Sequence, residues 1–369
     1  MKTFNKVQLE NIAWGACLLG SGGGGALYNA NQMLHALPKN WKVNVATVQE
    51  AVKAGGLAAV VAYIGAPSAV SDLANPIAAE RAFIELNNLC KKQFGGPIKY
   101  LVPVEIGPIS SLVSCIVASK EKISVIDADG AGRAVPALTL LTFSSLSPDP
   151  LVLANHTNID AILKTPQVSM AEELTLSVIS ASNFGSIAGL AMWPMQPPEL
   201  NKVLPEQLRG SLTLCHDLGS TLRNDPKPVP AARLLLKQHG YRNWLLGKCK
   251  ITNVSSAITG GLDLGQVDMQ GEGGVQLTVF NTNENLILWS SLKDRPLTIA
   301  PDLICYVTEQ GKPYSNADLL RQRPVEDICL LLAEARPVLR QKPILPSFQK
   351  YLVANGYAGA YVPIEKLKP

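Results

Sequence analysis

The chain has 369 residues, above the ~250–300 at which one hydrophobic core stops growing, so two domains are expected. Apolar residues make up 47% and charged residues 17%, which excludes a disordered chain. The net charge of +4 is spread thinly and no run of Lys and Arg exceeds the pair Lys91-Lys92, so the sequence carries no electrostatic footprint for nucleic acid and a small, anionic ligand is the more natural partner.

In chain order, helical periodicity at 8–19 leads into the run Gly20-Ser21-Gly22-Gly23-Gly24-Gly25, followed by a helix over 27–37, a strand over 43–48, a helix over 49–54 and a buried strand over 57–64. The apolar stretch 57–70 is broken by Gly65, Pro67 and Ser68 and is shorter than the ~20 residues of a spanning helix, so it reads as a strand with its exit loop. With no signal-peptide pattern in residues 1–20, a cytoplasmic protein with no membrane association is expected. A helix from Pro76 to about residue 94 and strands at 100–104 and 123–126 continue the alternation, which predicts a three-layer α/β/α domain on a mostly parallel sheet. Residues 170–192 read as a helical hairpin or a long helix broken near Asn183 and Gly185, and a further helix is expected near 205–223.

Three prolines in 224–230 place the main boundary there, giving an α/β domain over 1–223 and a β-rich domain over 224–344, with 345–369 a candidate to return to the first. Beyond the boundary, short strand-like runs at 244–254, 262–269, 275–280, 286–290, 303–308 and 328–333 predict a barrel or a sandwich. Seven cysteines without a C-x-x-C spacing read as reduced buried thiols.

Gly20 to Gly25 offer unobstructed backbone N–H groups ahead of a helix, the chemistry of an anion cradle or ligand contact. The run matches G-x-G-x-x-G literally. It lacks a preceding strand, an acid about 20 residues on, and a Lys-Ser/Thr ending, which argues against dinucleotide and P-loop chemistry. The alternative is a tight turn with close packing. Asp127-Ala-Asp129-Gly-Ala-Gly-Arg133 follows the strand at 123–126, where Asp127 and Asp129 are positioned to hold a metal, orient a ring N–H or activate water; an Asp-Gly turn with a surface ion pair is the other reading. Glu105 stands at the end of the strand before, as a third catalytic carboxylate or an exposed loop acid. The four histidines show no metal-ligand spacing, and no serine-nucleophile elbow is present.

The glycine run, Asp127 to Arg133, Lys250-Ile-Thr-Asn-Val254, Asn283-Glu-Asn285, Ala300-Pro-Asp-Leu-Ile-Cys305 with Gly311, and Tyr361-Val-Pro-Ile-Glu365 together resemble the S-methyl thiohydantoin desulfurase family, filed near hydantoinase and oxoprolinase proteins. The resemblance implies an N-terminal α/β/α domain, a C-terminal β-barrel, and hydrolysis that replaces the sulfur on a five-membered thiohydantoin ring with oxygen. The candidate roles are Asp127 or Asp129 as base or as ligands of a divalent metal, Glu105 as their partner, Arg133 for a substrate carboxylate, and Gly20, Ser21, Gly22, Gly23, Gly24 and Gly25 for developing charge. The sequence departs from the family pattern at Ala26 and Ala137, where acids are usual, and at Gly107-Pro108, where Gly-Gly is usual. A non-catalytic metabolite binder, or partner of a hydantoinase-type enzyme, is therefore the second reading. A homo-oligomer is left open.

Overall fold

The computed structural model describes residues 2–66 and 75–369, so the exit loop expected after residue 64 falls largely outside the described residues. The first half alternates β1 (Lys2–Asn5), α1 (Lys6–Leu19), α2 (Leu27–Ala36), β2 (Lys42–Ala46), α3 (Val48–Ala54), β3 (Leu57–Gly65), α4 (Ile77–Gln93), β4 (Ile98–Val102), α5 (Pro108–Lys120) and β5 (Ser124–Ile126). It continues with β6 (Leu151–Ala154), β7 (Asp160–Leu163), α6 (Val168–Ile179) and β8 (Ile187–Met195). Local chemistry accounts for several boundaries. Asn5 and Gln8 form a reciprocal capping box at the start of α1, and Thr47 and Glu50 do the same for α3.

The sheet runs β1-β2-β5-β4-β3-β8-β6-β7. Its centre, β2-β5-β4-β3, is parallel, whereas β1 and the β8-β6-β7 flank pair antiparallel, so the sheet is mixed rather than mostly parallel. The consecutive residues 57–62 of β3 are all buried, which requires cover on both faces.

Two elements differ from the sequence-based expectation. Helix α5 was not foreseen because residues 108–118 are all buried, leaving no polar stripe to reveal a helical period; Pro108 at its first position was the available signal. The segment expected as the second arm of a helical hairpin is instead strand β8, paired on both sides. Its Pro194 is tolerated because the register with β3 shifts there, so no ladder donor is needed from it.

The prolines at 226–230 open a helix, Pro228–Gln238, that follows the helix Ser211–Asn224 almost directly. The second sheet is antiparallel throughout, from β9 (Asn243–Thr259), β10 (Leu262–Gly271), β11 (Gln276–Thr282), β12 (Glu284–Ser290), β13 (Thr298–Ile299), β14 (Leu303–Thr308), β15 (Pro313–Tyr314) and β16 (Ile328–Ala333), in the order β13-β12-β11-β10-β9-β16-β14-β15. It curls, since the Asn285 amide on β12 donates to Ile304 O on β14 at 2.8 Å. No backbone ladder closes it into a barrel among the described residues. All seven cysteines are free and buried.

One apolar core spans both halves, joining β3, β4 and α5 to Leu286, Ile287, Leu303 and Leu331 of the second sheet. Helix α1 crosses Ser211–Asn224 so closely that a Cβ on Gly15 would lie 1.9 Å from Cys215 O and one on Gly219 1.8 Å from Asn11 O. Backbone, unlike a flexible side-chain tip, cannot yield cheaply. Gly219→Ala is expected to lower the unfolding free energy by about 1–3 kcal/mol, as overpacked cores do, measured by urea denaturation.

Candidate active site

The glycine run begins as the C-terminus of α1, where the Gly20 N–H donates to Ala16 O at 2.7 Å. Its carbonyls are then taken up by the second sheet, the helix Asn316–Arg321 and α5: Ser21 O accepts from Asn285 N–H (2.8 Å), Gly22 O from Asn316 N–H (2.8 Å) and Gly24 O from Ile109 N–H (2.9 Å). The Ser21 hydroxyl accepts from Ile304 N–H at 2.9 Å. Glycine is required by contact: a Cβ at Gly23 would lie 2.1 Å from Glu284 Oε1, and one at Gly24, whose φ is +68°, would lie 2.3 Å from Gly107 Cα. The positive end of α2 is already neutralised, because Leu27 and Tyr28 N–H both donate to the Asp318 carboxylate at 3.0 Å. The anion expected at this cradle is thus a side chain of the protein itself. Asp318→Ala is expected to cost about 1 kcal/mol or more of unfolding free energy through loss of this cap.

Gly24 and Gly25 form one wall of a cavity of about 100 Å³ between the two sheets. By the same measure a water needs roughly 10–15 Å³, so the space admits a small ring. The other walls are mostly apolar, from Tyr63, Ile109, Val135, Ala137, Leu176 and Leu262 among others, with the carboxyl groups of Glu105, Glu172 and Glu284 on them.

Glu105 follows β4 and accepts from the Ser110 hydroxyl (3.0 Å) at Oε1 and from Val135 N–H (2.7 Å) at Oε2. Burial, with Asp129 adding to it and Arg133 opposing, pushes its carboxyl up to about 7. Glu284 opens β12 and is 2% exposed, and its Oε2 has no hydrogen-bond partner among the described residues. Burial, first, and the charge of Glu105 hold its carboxyl well above the usual carboxylate range. Glu172, on α6, is spoken for: Thr139 donates twice to Oε2, and Lys350 (2.8 Å) and Tyr351 (2.9 Å) donate to Oε1.

Of the residues singled out in the sequence, Glu105, Gly24 and Gly25 meet in this cavity. Gly20 to Gly23, Asp127, Asp129 and Arg133 do not line it. Asp127 accepts from the Thr213 N–H (3.1 Å) and hydroxyl, in the first turn of Ser211–Asn224, and so caps that helix. Asp129 is fully buried, and its Oδ2 accepts from Ala131 (2.8 Å) and Gly132 (2.5 Å) N–H, closing its own loop. Both oxygens of Asp127 and Oδ2 of Asp129 are held by N–H or O–H donors, while Asp129 Oδ1 is buried with no partner among the described residues. No group of three or more metal-ligating side chains converges among the described residues.

Arg133 is also fully buried, and each of its donor groups is spent on carbonyl oxygens: Ala134 (2.8 Å), Pro301 (2.7 Å), Asp302 (3.0 Å) and Asn285 (3.0 Å). It clamps the first domain to the second, and a substrate carboxylate has no access to it. Asp129→Asn is expected to move the titration of the Glu105 carboxyl to lower pH, because one charge that raises it is gone, read by carboxyl-carbon NMR. Glu284 was not foreseen as a site residue. Its signal was the polar triplet Asn283-Glu284-Asn285 between two strands, too short to bear a role without knowledge of what faces it.

Residues 7–165 match the S-Me-THD-like N-terminal domain, and residues 167–345 match the S-Me-THD-like C-terminal domain. The chain belongs to the S-Me-THD-like family. A crystal structure of a protein from Chromobacterium violaceum, a structural genomics target, superposes with a TM-score of 0.86 at 30% identity, over 99% of this chain and 100% of that one. Among curated proteins none matches. In this S-Me-THD-like protein Ala137, one of the departures from the family pattern, lies on the cavity wall, whereas Ala26 precedes α2 outside it. No described helix is long and apolar enough to cross a membrane.

Proposed function

We propose that this protein hydrolyses the carbon–sulfur bond of an S-alkyl thiohydantoin-type ring, with Glu105 as general base and Glu284 as general acid. The observation that carries the reading is the pairing, in one mostly apolar cavity, of two buried glutamates: Glu105, held by Ser110 and Val135 with its carboxyl pushed up to about 7, and Glu284, whose Oε2 is unpartnered and whose carboxyl burial raises. Water addition to a C=N bond needs one group that takes a proton from water and one that gives a proton to nitrogen, and a pair of carboxyls can divide those two roles.

The proton accounting closes. Glu105 takes a proton from water as its oxygen bonds to the ring carbon that bears sulfur, and the C=N electron pair moves to nitrogen, which takes the Glu284 proton. The tetrahedral adduct then returns its hydroxyl proton to Glu284 as the C=O bond forms. The C–S bond breaks, and the thiolate leaves with the proton held by Glu105. Both side chains are restored and no other reactant is needed. The Gly24 and Gly25 wall lets the ring approach backbone closely.

The test is to incubate the purified protein with an S-methyl thiohydantoin carrying a small uncharged side chain and titrate released thiol. Catalytic release supports the reading. A folded protein that is stabilised by the ring and releases no thiol would instead support a non-catalytic binding member, a reading that Ala137 in the wall favours.

A further inference from the structure

A second, smaller chamber lies behind the glycine wall of the cavity. Gly25 and Asn283 line both spaces and so form the partition between them. The chamber holds about 10 Å³, room for a single water-sized species, since a water needs roughly 10–15 Å³. Asp263, Asn281 and Asn316 are among its other lining residues, and all three are buried.

The donors of this wall are spent within it. Asn283 N–H donates to Asp263 O (2.7 Å), Asp263 N–H to Asn283 Oδ1 (2.8 Å), Asn316 N–H to Gly22 O (2.8 Å) and Asn316 Nδ2 to Asn283 O (2.9 Å). What remains of the Asn316 amide is Oδ1, an acceptor on a side chain that is 7% exposed, and it has no hydrogen-bond partner among the described residues. A buried acceptor costs free energy unless a positive group meets it. Asp263, also buried, brings a carboxyl group to the same lining. A water placed here would offer two donors but also lone pairs that want donors in return. A cation is satisfied by acceptors alone. Amide and carbonyl oxygens with a single carboxylate suit an alkali-metal ion, whereas divalent ions in protein cages draw on several carboxylates.

We propose that this chamber is a binding site for a monovalent cation, sodium or potassium, held by Asn316 Oδ1 and the Asp263 carboxylate. The site stands apart from the ring-hydrolase reading. Its ion braces Gly25 and Asn283, the partition shared with the larger cavity.

The melting temperature of the full-length protein is measured in sodium, potassium and tetramethylammonium acetate at equal ionic strength, so that screening of surface charge is the same in all three. Tetramethylammonium is too large for the chamber. At least one alkali salt is expected to raise the melting temperature by about 2 °C over it, the shift that an ion at roughly ten times its Kd gives a chain of this length. Asp263→Asn and Asn316→Ala are expected to abolish that difference. Wild-type crystals soaked in thallium(I) acetate supply a readout that needs no variant: an anomalous peak in the chamber beside Asn316 Oδ1 supports the site even where a variant fails to fold. Equal melting in the three salts together with no peak overturns the proposal and leaves an ordered water in the chamber. A salt difference that both folded variants retain overturns it as well.

Discussion

Glu105→Gln is expected to cut kcat/KM for thiol release by about 10²–10⁴-fold, the range supplied by a general base, while the protein stays folded. The glutamine retains a carbonyl oxygen for the Val135 N–H or the Ser110 hydroxyl, so the local hydrogen bonding is largely kept. The pH dependence separates loss of a base from loss of a contact. As the proposed general base Glu105 would have to be ionised to accept the proton of water, so wild-type kcat/KM is expected to rise with pH to a plateau above about 7 and the variant's residual activity to lack that limb. The stability effect has the opposite sign. Because the folded carboxyl titrates at about 7 and the unfolded one near ~4.3, its contribution to folding is fully present below about pH 4 and is lost as the pH rises through 7. Glu105→Gln removes that loss, so at pH 8 it is expected to melt no lower than wild type. A variant that is inactive and also unfolded at pH 8 would assign Glu105 a structural role instead.

Arg133→Met is expected to be the most destabilising single change, lowering the unfolding free energy by about 3–5 kcal/mol, the usual cost of breaking a buried charge network from one side. The substitution removes the four guanidinium hydrogen bonds to the carbonyls of Ala134, Asn285, Pro301 and Asp302, at a residue that is 0% exposed and so shut off from bulk water. It also removes the positive charge that favours ionisation of Glu105 and Glu284. The damage falls on the joint between domains, because three of the four carbonyls belong to the second. Urea denaturation measures it. If Arg133 instead held a substrate carboxylate, the variant would unfold at the wild-type concentration and show only a raised KM.

The contrast between Glu105 and Arg133 shows how far residue type and spacing reach. Strand ends are legible, so Glu105, just past β4, was placed correctly at a strand's C-terminal end, where open α/β sheets bind ligands. Asp127 and Asp129 follow β5 by the same rule, yet helix Ser211–Asn224 and the Ala131 and Gly132 N–H groups capture them. Those partners for Asp127 lie more than 80 residues away, and nothing local announces them. The glycine run was read as backbone offered to a ligand, but most of it is backbone offered to the protein. Ser21 to Gly23 seat Asn285, Asn316 and Glu284, and only Gly24 and Gly25 face the cavity. Glu284 is the converse case, a residue whose chemistry arises from burial beside Glu105 across nearly 180 positions of sequence.

Within the second half, strands β14 and β16 were delimited by sequence because each is a short apolar run bounded by turn residues, whereas closure into a barrel depends on whether β13 meets β15, which no local pattern encodes. Helix α5 was hidden by its complete burial, and that helix supplies Ser110 to Glu105.

The claim that the chemistry resides in the glutamates of the cavity, and not in the aspartate loop, is tested most directly by a crystal structure with a neutral hydantoin, the product ring, bound. The expected result is the ring against Gly24 and Gly25 with Glu105 and Glu284 both within hydrogen-bonding distance. A ring seated against Asp127 or Asp129, or reaching Arg133, would contradict the account.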